Sequence, residues 1–124
     1  MIISFAWTAE ALLAGHKTMT RRLWAPAHVE MWRRAYDQGR TVHKAYDKLP
    51  HSGGQQIGEI TLTCRPCLQR LGDMPEGDLE REGGLWPDLE GFAEQFGGNL
   101  DLQVCVVEFA FRPTAYGALF YTTA

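Results

Sequence analysis

The stretch LLAGHKTMTRRLW, from Leu12 to Trp24, places four basic side chains around two threonines. The basic residues are His16, Lys17, Arg21 and Arg22, and they follow a short apolar run that ends at Gly15. Two interpretations are open at this point. The stretch is either the solvated, basic end of a helix or the wall of a pocket that binds a polar, electron-rich ligand. Composition alone favours the solvated turn.

The residues around this stretch predict short elements of both kinds. A β-prone run, IISF, occupies residues 2–5. Residues 8–14 predict a helix, with Thr8 as its N-cap and Gly15 as its stop. A second helix is expected after Pro26, with its two arginines exposed. Its apolar face would consist of Val29, Trp32 and Tyr36.

The remainder of the chain continues this alternation. Strands are expected in RTVHKAYD, IGEITLTC and LQVCVVEFAFRP, and a loop in LPHSGGQQ. The acidic segment between the last two strands predicts two short helices, one from Asp73 or Glu76 to Glu82 and one with Asp88 near its start. The apolar tail TAYGALFYTT is expected to add an edge strand or to pack on the barrel. This order predicts a single α+β domain with a strongly curved sheet.

Charge is distributed unevenly along the 124 residues, although the net charge is only −3. Residues 1–65 carry nine Lys and Arg against five Asp and Glu, and the remainder carry three against ten. A basic half can attract phosphates, because salt confines its field to about 10 Å. Alternatively, the two halves neutralise each other in the fold.

Several classes of protein lack support in the sequence. MIISFAW is not a signal peptide, and no apolar run reaches the roughly 20 residues that span a bilayer. Three cysteines, an odd number, are typical of a reduced cytoplasmic protein. Cys64 and Cys67 form one C-x₂-C pair without a second, so two buried cysteines at a strand end are expected and no metal. Without a phosphate loop or dinucleotide fingerprint, no cofactor is expected.

Lys17 and Thr20 are the first candidates for chemistry. A straight strand would point them to opposite faces, so they share a wall only if the chain curls. An amine beside a hydroxyl is the minimum for an activated nucleophile. Trp7 and Trp24 flank the stretch and are the candidates for stacking on a base.

The segment GHKTMTRR resembles the G-x-K-x-x-T-x-R signature of the ASCH domain, through Gly15, Lys17, Thr20 and Arg22. The order of elements is also similar, over about residues 1–112. The resemblance implies a PUA-like fold over residues 1–124, which is a small mixed β-barrel with short helices flanking a cleft. It further implies that the partner is RNA or a modified nucleoside. The chain departs from the family in extra residues between Arg22 and Gln55 and in its tail. No feature indicates an oligomeric state.

The polar residues are most similar to those of the bacterial N4-acetylcytidine amidohydrolases. The roles in that branch carry over to Lys17, Thr20 and Glu82, with Glu82 matched through DLEREG. In this hypothesis Lys17 takes the proton of Thr20, Thr20 attacks the acyl amide, and Glu82 is the general acid and base. Substrate binding would fall to Gly15, Arg21, Arg22, Trp7 and Trp24.

Three points stay open from the sequence. Glu80 and Glu82 lie about 200° apart on a helix, so only one can face a given cleft, and the resemblance selects Glu82. Arg22 either positions a base or forms a salt bridge to the acidic segment. A non-catalytic RNA-binding module and a ribonuclease remain alternatives to the amidohydrolase.

Overall fold

The strand β6, Gln103–Pro113, is the centre of the sheet. The computed structural model describes the backbone of residues 1–122 and the side chains of residues 1–119. β6 pairs antiparallel with β2 (Met19–Arg22), β4 (Gln56–Leu62) and β5 (Cys67–Arg70). Its β-branched and aromatic residues suit a strand with neighbours along most of its length. The sequence predicted β4 and β6 but not the two short strands.

The full sheet has six strands in the order β1, β3, β4, β6, β2, with β5 also paired to β6. β1 (Ile2–Ser4) runs parallel to β3 (Val42–Tyr46), and the other pairs are antiparallel. This mixed sheet curls into a half-barrel with short helices around it. The predicted α+β class is therefore confirmed.

Five α-helices surround the sheet in the described part of the chain. They are α1 (Ala9–Leu13), α2 (Pro26–Asp37), α3 (Asp78–Arg81), α4 (Leu89–Ala93) and α5 (Ala115–Thr122). Single 3₁₀ turns lie at Ala6–Thr8, Pro50–Ser52, Leu71–Asp73 and Glu94–Phe96. Within residues 1–122, none of the helices is long and apolar enough to cross a membrane.

The helix expected at residues 8–14 divides into a 3₁₀ turn and the shorter α1. Thr8 was expected to cap it, but its side chain makes no capping hydrogen bond. The Thr8 hydroxyl instead donates to the carbonyl of Phe5, at 2.6 Å. A local hydrogen bond to the preceding turn competes with the cap and here replaces it.

Residues 115–122 of the tail are helical, so the edge strand was the wrong alternative and packing on the barrel the right one, while Thr123 lies outside the described residues. α5 approaches β4 so closely that a Cβ on Gly117 would lie 2.1 Å from the Ile57 carbonyl oxygen. Only glycine permits this distance between the helix and the strand.

β6 separates two hydrophobic cores, since successive side chains of a strand point to opposite faces. Cys105, Val107 and Phe109 join the larger core, which α2 covers with Val29 and Trp32. Val104 points the other way into a smaller core. That core is formed by Leu71, Met74, Leu79, Phe92 and Ala93. The acidic segment thus folds as its own layer against the sheet. The segment between Arg22 and Gln55 supplies α2 and β3.

Candidate functional site

Main-chain pairing brings the basic stretch against the acidic segment. Lys17 and Glu82 form an isolated antiparallel bridge, just before β2 begins and just after α3 ends. The Thr18 amide donates to the carbonyl of Arg81 at 2.8 Å, and the Phe109 amide donates to the carbonyl of Thr18 at 3.0 Å. The backbone therefore fixes where the side chains of Lys17 and Glu82 can meet.

The side chains at this junction form a buried ion cluster. The Lys17 ammonium donates to the Glu82 main-chain oxygen at 2.9 Å and to its Oε1 at 3.0 Å. Arg21 Nη1 donates to Glu82 Oε2 at 3.0 Å. Lys17, Arg21 and Glu82 are 3%, 4% and 1% exposed. Each carboxylate oxygen of Glu82 thus has its own cation, as a buried charge requires.

Lys17 has a pKa below the ordinary lysine value. Burial is the largest cause, because it disfavours the charged ammonium, and the charges of Arg22 and Arg21 add to the effect. The Glu82 carboxylate opposes both and raises the pKa. Lys17 is therefore easier to deprotonate than a surface lysine while staying hydrogen-bonded to a carboxylate.

Arg21, not Arg22, makes the salt bridge to the acidic segment. Arg21 Nη2 lies 2.6 Å from Asp78 Oδ2, in addition to its bond to Glu82. Its Nε donates to Gln69 Oε1 at 3.0 Å. Asp78 and Glu82 are four residues apart, at the two ends of α3, so they lie on one face of that turn. This spacing was the signal by which the sequence could have pointed to Asp78.

Arg22 lies beside Thr20 and binds the end of β1. Its Nε donates to Thr20 Oγ1 at 3.0 Å, and its Nη2 donates to the carbonyl of Ser4 at 2.7 Å. The guanidinium also lies 5.2 Å from the centre of the Phe5 ring. Burial lowers the pKa of Arg22 to about 10. The Thr20 oxygen therefore has a cationic donor next to it.

A cavity of about 260 Å³ connects these groups. Lys17, Thr20, Arg21, Arg22 and Glu82 line its polar side. Its other walls are largely aromatic and come from three segments, with Phe5, Trp7, Trp86, Phe92 and Phe96. The size is slightly below the roughly 300–1,000 Å³ of most small-molecule pockets. The arrangement suits a flat, polar ring whose functional group reaches Lys17 and Thr20.

Trp7 lies at the mouth of this cavity and is 62% exposed. Its ring contacts Trp86 edge to face at 5.4 Å, and Trp86 contacts Phe92 in the same way at 4.7 Å. Ala6, which precedes Trp7, has a φ of +47°, a value that residues other than glycine rarely adopt. The strained turn directs the chain so that Trp7 stands beside the cavity.

Two of the predicted binding residues lie elsewhere. Trp24 stacks on Trp32 at 5.1 Å and contacts His28, so it belongs to the α2 side of the larger core. Gly15 has a φ of +77° and ends the helical turn, as expected, but lines a neighbouring depression with His16 and Gly84. Trp24 is close to the signature in sequence, but α2 begins two residues later. Its side chain therefore packs on that helix and not in the cavity.

The aromatic wall opposite Lys17 was missed from the sequence. Phe92 and Phe96 lie four residues apart across α4 and the following 3₁₀ turn, and both line the cavity together with Gln95. The expected features of that helix are confirmed, since Asp88 caps it through the Gly91 amide at 2.8 Å. Helical spacing could have paired the two phenylalanines, but not shown that they line a cavity with Lys17 and Thr20.

Glu82 and Glu80 have different environments, as their spacing on a helix requires. Glu82 is buried in the cluster, while Glu80 is exposed and lines the neighbouring depression. The cysteine prediction was wrong, because Cys67 is exposed and Cys64 is half-buried. Cys64 donates to Glu108 at 3.1 Å. Among the residues that the structure describes, His, Cys, Asp and Glu form no group that could hold a metal ion.

Comparisons with known proteins bear on the fold. No family model matches the chain, and no curated protein matches it. Among solved structures, the chain is similar to the crystal structure of protein EF3133 from Enterococcus faecalis V583, assigned to DUF984. The TM-score is 0.53 at 13% sequence identity, over 87% of this chain and 71% of that one. DUF984 proteins have an ASCH-type, PUA-like fold, and at this identity the likeness is one of fold. This chain therefore has the small PUA-like fold that its signature predicts.

Proposed function

We propose that this protein hydrolyses the acyl amide of an N4-acylated cytidine. The observation that carries the proposal is the meeting of three groups in one cavity with aromatic walls. These are the buried amine of Lys17, the hydroxyl of Thr20 and the buried carboxylate of Glu82. An activated hydroxyl nucleophile needs a base beside it and a third group that orients the base.

Counting hydrogens supports Lys17 as the base. A neutral amine has two N–H groups and one lone pair. If Lys17 gives both N–H groups to the main-chain oxygen and Oε1 of Glu82, its lone pair is left for a further proton. The lowered pKa of Lys17 makes the neutral form more accessible than in an ordinary lysine. Once protonated, the ammonium keeps the Glu82 carboxylate as its counter-ion.

The reaction divides into two steps. Lys17 Nζ takes the proton of Thr20 Oγ1 as that oxygen bonds to the acyl carbon, and the electron pair of the carbonyl double bond moves to the acyl oxygen. Arg22 Nε, which donates to Oγ1 at 3.0 Å, holds the nucleophile in place. The carbonyl re-forms as the amide C–N bond breaks, and the exocyclic nitrogen takes the proton from the Lys17 ammonium. This releases cytidine, leaves an ester on Thr20 and returns Lys17 to its neutral form. Water, deprotonated with the help of Glu82, then hydrolyses the ester and restores the hydroxyl. The products are cytidine and a carboxylic acid.

Burial also favours a nucleoside over a long RNA as the ligand. Lys17 and Arg21 are almost fully buried, so they contact only a group that enters the cavity. Non-specific binding of RNA depends on exposed cations that neutralise phosphates. The aromatic side chains provide surfaces on which a base can stack, at about 1–3 kcal/mol per base.

The test is to incubate the pure protein with N4-acetylcytidine, larger N4-acylcytidines and a short RNA that contains one such base, and to identify products by mass spectrometry. We expect release of cytidine and of the acid. Lys17→Ala, Thr20→Ala and Glu82→Gln should each lower turnover by about 10²–10⁴-fold. Matched controls are Lys44→Ala, Thr18→Ala and Glu80→Gln, which change the same residue types outside the cavity.

Three outcomes would contradict the proposal. If acylcytidine binds, as read from tryptophan fluorescence, but is not hydrolysed, the cavity is a binding site only. If the RNA is cleaved between nucleotides, the protein is a ribonuclease. If the three site variants lose no more activity than their controls, the assignment of Lys17, Thr20 and Glu82 is wrong.

A further inference from the structure

Asp78 lies outside the cavity, yet it is joined to the proposed catalytic group by a single side chain. Arg21 Nη2 contacts Asp78 at 2.6 Å and Nη1 contacts Glu82 at 3.0 Å, so one guanidinium spans both carboxylates. The Asp78 side chain is 17% exposed, and those of Arg21 and Glu82 are 1% and 2% exposed. Asp78 is thus the point at which the buried cluster meets solvent.

Among the side chains joined by ion pairs in this cluster, the charges are balanced only when Asp78 is included. Lys17 and Arg21 are two cations, and Glu82 supplies one negative charge between them. Asp78 supplies the second. Buried charges that lack a counter-ion are costly, and Lys17 can shed its charge where Arg21 cannot. Without Asp78, the excess positive charge would therefore favour the loss of a proton from Lys17.

We propose that Asp78 is a positioning residue of this site. Through Arg21 it fixes the second oxygen of Glu82 and sets the charge balance under which Lys17 holds or releases its proton. Arg21 has further contacts with Gln69 Oε1 at 3.0 Å and with Met19 Sδ at 3.1 Å, so its guanidinium is held on each side. This inference rests on the proposed function for its link to turnover, but not for its effect on Lys17.

Other charged groups near the cluster leave this assignment intact. Arg22 adds positive charge near Glu82 and Lys17. Glu108, on β6, forms its ion pair with Arg81 at 2.7 Å and accepts a hydrogen bond from Cys64. Arg21 contributes only the last of the charge effects that lower the pKa of Glu108. Asp78 is the carboxylate, besides Glu82, that forms an ion pair with Arg21 within residues 1–119.

The first experiment reads the protonation of Lys17 without any substrate, from the pH dependence of its side-chain ¹³C NMR signal. Asp78→Asn removes one negative charge and should lower the pKa of Lys17 by roughly half a unit to one unit. Asp78→Glu keeps the charge and should restore the wild-type titration. Asp73→Asn is the matched control, because Asp73 pairs with Arg70 on the surface, 63% exposed.

A second variant predicts the opposite sign. Gln69→Glu adds a negative charge at Arg21 Nε and should raise the pKa of Lys17 by a similar amount. If Asp78→Asn does not fold, Gln69→Glu decides the question alone. Titrations of Lys17 that coincide in the wild type, Asp78→Asn and Gln69→Glu would overturn the proposal, and so would a shift of equal size in Asp73→Asn.

The second experiment uses the hydrolysis of N4-acetylcytidine. Because a neutral Lys17 is needed, Asp78→Asn should move the acidic limb of the pH profile of kcat to lower pH by the same half to one unit. Its KM should stay unchanged, because Asp78 does not line the cavity. A limb that does not move while the Lys17 titration does would refute the link to turnover. If the wild type hydrolyses nothing, the proposed function fails, and the titration still tests the role of Asp78.

Discussion

The ion pair between Lys17 and Glu82 should be strongly coupled in its effect on stability, and a double-mutant cycle tests this. The two charges lie 3.0 Å apart with side chains 3% and 2% exposed. At an effective dielectric constant of about 20, their attraction is about 5–6 kcal/mol, against a desolvation cost of several kcal/mol for each ion. Removing one partner therefore leaves a buried charge whose desolvation cost is no longer offset by attraction to a counter-ion.

The expected loss in Glu82→Gln has an upper limit. Without Glu82, Lys17 can become neutral by losing its proton. For a lysine of ordinary pKa, this deprotonation costs about 4–5 kcal/mol at pH 7, and that cost is the upper limit of the loss. We expect Glu82→Gln to lower the free energy of unfolding by about 3–4 kcal/mol, a Tm decrease of roughly 10–15 °C for a domain of this size. The exposed Glu80→Gln should change it by less than about 0.5 kcal/mol.

The assay is urea unfolding of the wild type, Lys17→Met, Glu82→Gln and the double variant. We expect the double variant to be at least about 2 kcal/mol more stable than the sum of the single losses predicts. The difference in the free energy of unfolding between the wild type and Glu82→Gln should also become smaller as the pH rises from 7 toward 10. The folded pKa of Lys17 lies below the unfolded one, so the unfolded state binds more protons and deprotonation favours the folded state. Additive losses, or a single loss below about 1 kcal/mol, would refute this account.

Three further predictions concern residues outside the ion cluster. Trp7→Ala should weaken acylcytidine binding about tenfold with little loss of stability, because Trp7 lines the cavity. Trp24→Ala should destabilise the fold and leave the affinity unchanged, because Trp24 stacks on Trp32. Fluorescence titration measures the affinities, and urea unfolding measures the stabilities. His43 has its pKa lowered by burial to about 4, so the unfolded state gains the proton first. Up to about 3 kcal/mol of stability should be lost between pH 6.5 and 4, and His43→Leu should flatten that dependence in unfolding experiments. Ala6→Gly should raise the Tm by a few degrees by relieving its positive φ, and an unchanged or lower Tm would contradict the strain.

The sequence predicted the elements that have a strong local signal. Pro26 and the apolar face of Val29 and Trp32 indicated α2, and Val29 and Trp32 are buried. The β-branched run in β6 and the caps of α4 were equally clear. The short strands β2 and β5 were not predicted, because four residues carry too little pattern. Their pairing depends on β6, which lies more than 30 residues further along the chain.

The candidate site was predicted in part for the same reason. The spacing of Lys17, Thr20 and Arg22 belongs to one segment and could be matched to a signature. Helical geometry indicated that only one of Glu80 and Glu82 could face the cleft, and the resemblance to the family selected Glu82. The roles of Arg21 and Arg22 could not be separated, since both are arginines one residue apart. Only the direction of β2 shows that Arg21 turns to the acidic layer and Arg22 to β1.

The curl that Lys17 and Thr20 required has a specific cause. Lys17 precedes β2 and pairs with Glu82, whereas Thr20 lies within β2 and pairs with Val107 of β6. The chain thus changes partner between the two residues, from the acidic layer to the sheet, and the alternation of a straight strand does not apply across that change. The spacing of three positions between the lysine and the threonine of the signature therefore suits a chain that passes from the acidic layer to the sheet between these two residues.

The same change of partner separates the polar groups of the cavity from its aromatic walls. Main-chain bonds at Lys17 and Thr18 tie the polar groups to the acidic layer, so they form with the fold itself. The aromatic walls come from the turn at Trp7 and from the segment around Phe92 and Phe96. Substitutions in those walls can alter which ring fits without unpairing a buried charge. If the cavity hydrolyses acylcytidines as proposed, the acyl group and the base that are accepted should vary with the walls, while the need for Lys17 and Glu82 should not.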